Sequence, residues 1–229
     1  MNDPIFKSPG GVTLIGGGSC ESGDMDMALQ YAPDLIAADG GGDRALSFGL
    51  YPRAVIGDMD SLSAQARSTL GPDRLHHVAE QDSTDFGKCL RMVEAAFFLA
   101  LGFTGKRIDH TLAALSQIAT DRYPPVLLIG RDDVIFRALP EMEFHLPTAT
   151  RFSLYPMGPV TGRSTGLRWP IDGLEFSPDG QIGTSNETVG PVTLGITGNC
   201  LILLPKDQIH AAMQGLGLIT RDQDEAHRV

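Results

Sequence analysis

Leu35-Ile-Ala-Ala-Asp-Gly-Gly-Gly42 and Ala54-Val-Ile-Gly-Asp-Met-Asp-Ser61 decide the fold. Each is an apolar run of three or four residues that stops at Asp or Gly, with a helix-compatible stretch behind it. Short apolar runs bounded by turn residues read as buried strands. Upstream, Val12-Thr-Leu-Ile-Gly16 has the same form and ends in glycines. The stretches Ser22–Tyr31, Asp43–Phe48 and Ala64–Leu70 read as the intervening helices. Strand and helix in alternation imply a parallel sheet with crossover helices.

The alternation continues downstream. Phe86, Leu90, Val93 and Phe97 fit one helical face, yet Phe97-Phe-Leu-Ala-Leu101 also fits a buried strand. A helix to about Glu94 followed by a strand therefore keeps the pattern. Asp109–Arg122 reads as a helix and Val126–Gly130 as another buried strand. Beyond Leu139 the texture changes. Phe152–Tyr155, Leu174–Phe176, Val192–Ile196 and Cys200–Leu204 read as short strands separated by Gly and Pro, the pattern of a β-sandwich or barrel. The expected architecture is α/β: an N-terminal parallel-sheet nucleotide-binding domain, residues 1–140, followed by a C-terminal β-sandwich domain, residues 141–229.

The 229 residues are 42% hydrophobic, which supports a substantial core. No apolar run reaches the roughly 18–20 residues of a membrane span. The start of the chain lacks a secretory pattern, so a cytoplasmic protein is expected. The net charge of −10 argues against nucleic acid and anionic membranes as partners, because both need a basic face. Cys20, Cys89 and Cys200 form no Cys-x-x-Cys pair, and the histidines show no metal-ligand spacing. His76-His77 reads as strand surface.

The acids are skewed to 20 Asp against 8 Glu, and eight of the Asp lie between Asp39 and Asp109. Asp favours loops, caps and metal sites. In open parallel sheets ligands bind beyond the carboxyl ends of the strands. Asp39 stands there, as do Asp58 and Asp60. In extended backbone, residues at i and i+2 point the same way, so Asp58 and Asp60 would repel unless they shared a cation. Mg²⁺ suits such a pair, since it takes one or two carboxylates and shares phosphate oxygens. Ser83 or Thr84 is placed to cap the next helix, with Asp85 and Lys88 on the same face. Arg107 precedes Asp109 and His110 at another helix start. Gly16-Gly-Gly-Ser19 is only a weak phosphate-cradle signal. Acids, two cations and helix starts together describe a Mg²⁺–polyphosphate site better than a dehydrogenase site.

These motifs resemble the thiamine pyrophosphokinase family. The resemblance lies in Asp39-Gly-Gly41, Gly49-Leu-Tyr-Pro52, Gly57-Asp-Met-Asp-Ser61, Gln81-Asp-Ser-Thr-Asp85 with Lys88, and Arg107-Ile-Asp-His110 with Thr111-Leu112. Downstream, Gly166-Leu-Arg-Trp-Pro170 and Thr184-Ser-Asn-Glu187 continue it. Order and spacing both match, from about residue 12 to 205. Lys106 and Gly87 depart from the family's usual Gly and helix former.

The resemblance implies a homodimeric ATP-dependent diphosphotransferase with active sites shared between subunits. It implies transfer of the diphosphate of ATP to thiamine, giving thiamine diphosphate and AMP, with Mg²⁺ required. It implies Asp58, Asp60 and Asp85 as metal ligands, and Asp60, Asp85, Lys88 and Arg107 as the catalytic set. Asp39, Gln81, Thr84, Asp109 and His110 would contact the nucleotide. Trp169, Thr184, Ser185 and Asn186 would hold thiamine. The competing readings are a diphosphokinase for another hydroxymethyl heterocycle such as a pterin, a non-catalytic nucleotide or thiamine diphosphate binder, and a Mg²⁺ phosphohydrolase.

Overall fold

The computed structural model describes residues 3–80, 82–105 and 107–220. It divides into two compact units, one running to Arg131 and the other starting at Asp132.

In the first unit the elements run β1 (Phe6–Lys7), β2 (Gly11–Ile15), α1 (Ser22–Tyr31), β3 (Asp34–Ala38), α2 (Gly41–Ser47), β4 (Ala54–Gly57), α3 (Ala64–Leu70), β5 (Leu75–His77), α4 (Asp85–Met92), β6 (Val93–Glu94), β7 (Phe97–Leu101), α5 (Ile108–Ile118) and β8 (Val126–Ile129). Strands β8, β7, β2, β3, β4 and β5 lie side by side in that order, every pair parallel. β1 and β6 form a small parallel pair of their own. Strands β2, β7 and β8 are buried along their whole length. Strands covered on both faces need continuous apolar runs rather than alternation, which is why Phe97-Phe-Leu-Ala-Leu101 is a strand and not the end of a long helix.

The chain adds strands on one side of β2, then returns to its other side with β7. This reversal is the switch point at which open α/β sheets form a crevice. At the carboxyl end of β2 the backbone packs tightly. Gly18 N donates to Gly102 O at 2.8 Å. A Cβ on Gly41 would sit 2.0 Å from Ile15 O. Only glycine lets α2 begin against the end of β2, so α2 starts two residues before the expected Asp43.

The second unit contains β9 (Asp133–Arg137), β10 (Glu141–Phe144), β11 (Arg151–Pro156), β12 (Val160–Leu167), β13 (Glu175–Phe176), β14 (Gly183–Thr197), β15 (Cys200–Pro205) and α6 (Ile209–Gly215). All its strand pairings are antiparallel. The 15-residue β14 pairs with β11 through its first part, and with β12 and β10 through its second. Phe136, Phe144 and Phe152 form its aromatic core, with ring centroids 6.3 and 5.3 Å apart.

Several boundaries differ from the sequence expectation. α5 stops at Ile118 rather than Arg122, where Thr120 turns back on the Gln117 carbonyl. The expected strand Val192–Ile196 is the second half of β14. Its first half was missed because Gly190-Pro191 in mid-strand looks like a turn. The acids of the polar C-terminal stretch, Asp222, Asp224 and Glu225, lie outside the described residues.

Candidate active site

A cleft of about 520 Å³ opens at the switch point of the first unit. Its floor comes from Gly16–Gly18 after β2 and from Gly102–Gly105 after β7. Asp39, Asp58, Asp60 and Ser61 form one wall, and Thr84, Asp85 and Lys88 another. Arg107 and His110 lie at the start of α5.

Asp39 is the buried acid, 3% exposed. Its backbone is left-handed, with φ 42°, a conformation Asp tolerates better than most residues. The Ser61 N–H donates to its Oδ2 at 3.1 Å. Its Oδ1 is buried with no hydrogen-bond partner among the described residues. Burial pushes the Asp39 carboxyl up from the ordinary 3.8 to about 6. The Ser61 amide opposes that shift, and the nearby carboxylates of Asp60 and Asp85 add to it.

Asp58 and Asp60 converge on Asp39. All three offer carboxylate oxygens within 4.8 Å of one another. The i,i+2 pair is not extended as expected. Met59 takes φ 65°, and the Asp60 N–H donates to Asp58 Oδ1 at 3.2 Å. A left-handed turn, not a strand, therefore aims both side chains at one point. Asp60 Oδ1 also accepts from the Ser61 hydroxyl at 2.8 Å. Asp39, read from the resemblance as a nucleotide contact, thus joins the acid group. Asp85 stands beside it, close enough to raise the Asp39 carboxyl.

The second wall is the N-terminus of α4. Thr84 caps it, its Oγ1 accepting from Gly87 N at 3.2 Å. Lys88 donates to Asp85 Oδ1 at 2.9 Å. Burial works against the ammonium charge, but the Asp85 hydrogen bond and the charges of Asp85, Asp58 and Glu80 outweigh it. The net shift is upward, so Lys88 is held as a buried cation. Before α4, Glu80 staples the loop by accepting from Ser83 at 2.5 Å and Arg91 at 2.6 Å. Gln81 lies outside the described residues, as does Lys106. In the lining of the cleft, Phe86 and Phe103 lie ring against ring, tilted by 37° with centroids 4.4 Å apart.

At the start of α5, Arg107 and Asp109 form a bidentate pair with contacts of 3.1 and 2.5 Å. That hydrogen bonding holds the Asp109 carboxyl below its ordinary range and raises Arg107. Arg107 and His110 line the cleft, whereas Asp109 does not. Phe103, Thr104, Gly105 and Ala114 also line it and were not singled out from the sequence. The Gly102 turn after an apolar run was the one available signal for the first three.

In the second unit, Trp169 is 56% exposed and so is not part of the core. Arg168 lies over its ring at 5.6 Å. Asn186 is buried and clamps the Trp169 backbone: its Nδ2 donates to Trp169 O at 2.7 Å, and its Oδ1 accepts from Trp169 N at 3.2 Å. Thr184 and Ser185 are exposed beside it, Ser185 with φ 63°. The structure thus brings Trp169, Thr184, Ser185 and Asn186 together on adjoining backbone.

Two family models match this chain. "Thiamin pyrophosphokinase, catalytic domain" covers residues 25–127, and "Thiamin pyrophosphokinase, vitamin B1 binding domain" covers 141–201. The chain belongs to the thiamine pyrophosphokinase family. Thiamine pyrophosphokinase 1 of Oryza sativa subsp. japonica is 27% identical over 187 residues, 73% of this chain and 70% of that protein. The thiamin pyrophosphokinase of Candida albicans has a similar fold, with a TM-score of 0.76 at 16% identity, over 86% of this chain and 89% of that one. The Bacillus subtilis thiamine pyrophosphokinase follows at 0.68 and 21%, over 85% and 98%. Within the thiamine pyrophosphokinase family match, the catalytic segment carries every described acid and cation of the cleft, and the vitamin B1 segment carries Trp169 and Asn186.

Proposed function

We propose that this chain transfers the diphosphate of ATP to the hydroxyl of thiamine, giving thiamine diphosphate and AMP. The observation that carries the reading is the convergence of Asp39, Asp58 and Asp60 beside Asp85 and the buried Lys88 paired with it, in a chain matched over both parts to this family. The vitamin B1 match over the second unit favours thiamine over another hydroxymethyl heterocycle.

The residues present fit a divalent cation. Three carboxylates within 4.8 Å repel one another, and the buried Oδ1 of Asp39 lacks a partner among the described residues. Oxygen donors of this kind suit Mg²⁺. Asp39, Asp58 and Asp60 would hold it; Asp85, a ligand by the resemblance, is not one of the three whose oxygens lie within 4.8 Å of one another and would flank it. Bound there, the ion would neutralise charge on the transferring phosphates.

The protein's own residues do the rest. Phosphoryl-type transfer depends on positioning and charge neutralisation more than on covalent chemistry. The thiamine oxygen forms a bond to the β-phosphorus as the bond from that phosphorus to the bridging oxygen of AMP breaks. Lys88 is fixed in a dry wall, where a cation acts most strongly on developing negative charge. Arg107 and His110 reach the cleft from α5 and contact the phosphates. Asp85, held at one oxygen by Lys88, orients the thiamine hydroxyl and accepts its proton.

We assign ATP and Mg²⁺ to residues 1–140, and thiamine binding and dimerisation to residues 141–229, a β-sandwich in this reading. Asn186 holds the Trp169 backbone so that its ring stays exposed for stacking on a cationic aromatic ligand. The working form is a homodimer in which one subunit's second domain completes the other's site. No described helix is long and apolar enough to cross a membrane. Our reading places the enzyme in the cytoplasm.

Incubation with ATP, Mg²⁺ and thiamine, followed for AMP and thiamine diphosphate, tests the reading. AMP in proportion to thiamine is expected, and Asp60→Asn should lower the rate about 10²-fold or more. AMP formed only with a different alcohol would replace thiamine as the acceptor. An Asp60→Asn enzyme with unchanged rate would remove the metal assignment.

A further inference from the structure

The hydroxyl of Thr84 is committed on two sides. Its Oγ1 accepts from Gly87 N at 3.2 Å and from Gln117 Nε2 at 2.9 Å. A hydroxyl has two acceptor positions and one proton to give. With both acceptor positions filled by N–H donors, the proton must point elsewhere, and Thr84 lines the cleft. Gln117 does not line it; it reaches α4 from the third turn of α5, behind the wall.

The fit between the two helices is specific. A Cβ on Gly87 would lie 2.8 Å from both Gln117 Nε2 and Oε1. The missing side chain at Gly87 is thus the slot that the Gln117 amide fills, which accounts for a poor helix former in the first turn of α4. The arrangement does not serve stability. Gln117 Oε1 is buried with no hydrogen-bond partner among the described residues, an unfavourable state that an apolar side chain would avoid.

We propose that Gln117 is a positioning residue that fixes the Thr84 hydroxyl as a donor aimed at a phosphate oxygen of the nucleotide. The proposal rests on the reading of the cleft as a nucleotide site. Without the Gln117 N–H, the hydroxyl is free to turn its proton inward, and the contact to phosphate is lost for part of the population.

The test compares Gln117→Met, Gln117→Glu, Thr84→Val, Thr84→Ser and the Thr84→Val/Gln117→Met double variant. The readouts are the KM for ATP, kcat and Tm. Gln117→Met should raise the ATP KM about five-fold, the scale of one neutral hydrogen bond, with a smaller change in kcat. Its Tm should be unchanged or higher, because a buried unsatisfied acceptor is removed. Gln117→Glu keeps the shape but accepts the Thr84 proton, so its KM should rise further. Thr84→Val should raise KM, Thr84→Ser should restore it, and the double variant should bind ATP no worse than Thr84→Val alone.

A normal KM in Gln117→Met beside a raised KM in Thr84→Val overturns the role of Gln117 and leaves the nucleotide site standing. Normal KM values in both variants overturn the nucleotide contact at Thr84 and this proposal with it. A KM rise in Gln117→Met that comes with a lower Tm and adds fully to that of Thr84→Val makes Gln117 merely structural, which also overturns it.

Discussion

Two helices open onto the cleft, and each begins with an acid and a cation, yet the two starts are built differently. At α4, Thr84 caps the helix and the Lys88–Asp85 pair is 2% and 30% exposed. At α5, Arg107 occupies the cap position without a side-chain cap bond, and its pair with Asp109 is 65% and 63% exposed. In sequence these are the same motif, an acid within three residues of a base. In the fold, one is a rigid wall whose charge was desolvated during folding, and the other is a hydrated arm. A buried cation is preorganised and strong but must be paired. An exposed pair adds little to stability and is free to exchange its carboxylate for a phosphate.

Breaking the α4 pair should have the largest effect. Lys88→Met fills the same space without charge, and kcat should fall about 10²–10³-fold with the fold intact. Asp85→Asn instead leaves an ammonium buried opposite a neutral group. Removing one partner of a fully buried pair costs about 3–5 kcal/mol, and the partial hydration of Asp85 reduces that to about 2 kcal/mol. Urea unfolding of the two variants gives the comparison. Equal stability losses in both would mean that α4 is no more desolvated than α5.

The same contrast separates the acids, with Asp39 buried and Asp60 exposed. A carboxyl raised to about 6 by burial favours the protonated, folded form. Its stabilising contribution is complete below the unfolded value near 4 and is lost as pH rises through about 6. The metal-free protein should therefore lose stability between about pH 4 and pH 7, and added Mg²⁺ should restore more of it at the upper end. Asp39→Asn keeps a carbonyl oxygen for the Ser61 amide but no charge. At pH 7.5 without metal it should be more stable by on the order of 1–3 kcal/mol, and its Tm should not respond to Mg²⁺ as the parent's does. Parallel pH–Tm curves for the two proteins would show that Asp39 is not the strained acid.

The parallel sheet was readable because its signals are local. Helices Ser22–Tyr31 and Ala64–Leu70 appear with the bounds the pattern gave, and of the two cap candidates for α4, Ser83 and Thr84, the fold uses Thr84. The cleft was readable as a set of residue types, since strand ends and helix starts are marked by Asp and Gly. Its internal order was not. Asp39 and Asp60 look equivalent along the chain, and only the packing of β3 against β4 buries one and leaves the other wet. The turn at Met59 was hidden because a left-handed methionine has no sequence mark. Gln117 was hidden because its partner is 33 residues away and its own helix reads as ordinary. The second unit was read least well, since antiparallel pairing joins distant segments and β14 runs through a Gly-Pro pair.

The smallest effect is expected at the exposed arm, and there the contrast between the two helices is most open to refutation. Arg107→Ala should leave the folding free energy within about 0.5 kcal/mol, because a surface pair is worth little. It should raise the ATP KM several-fold, since one charged contact to phosphate is lost. Salt separates the two helices further. At roughly 0.5 M ionic strength the parent's advantage over Arg107→Ala should shrink, as exposed charges are screened over a few ångströms, while the deficit of Lys88→Met should persist. If high salt erased the Lys88→Met deficit and spared that of Arg107→Ala, the assignment of buried wall and hydrated arm would have to be exchanged.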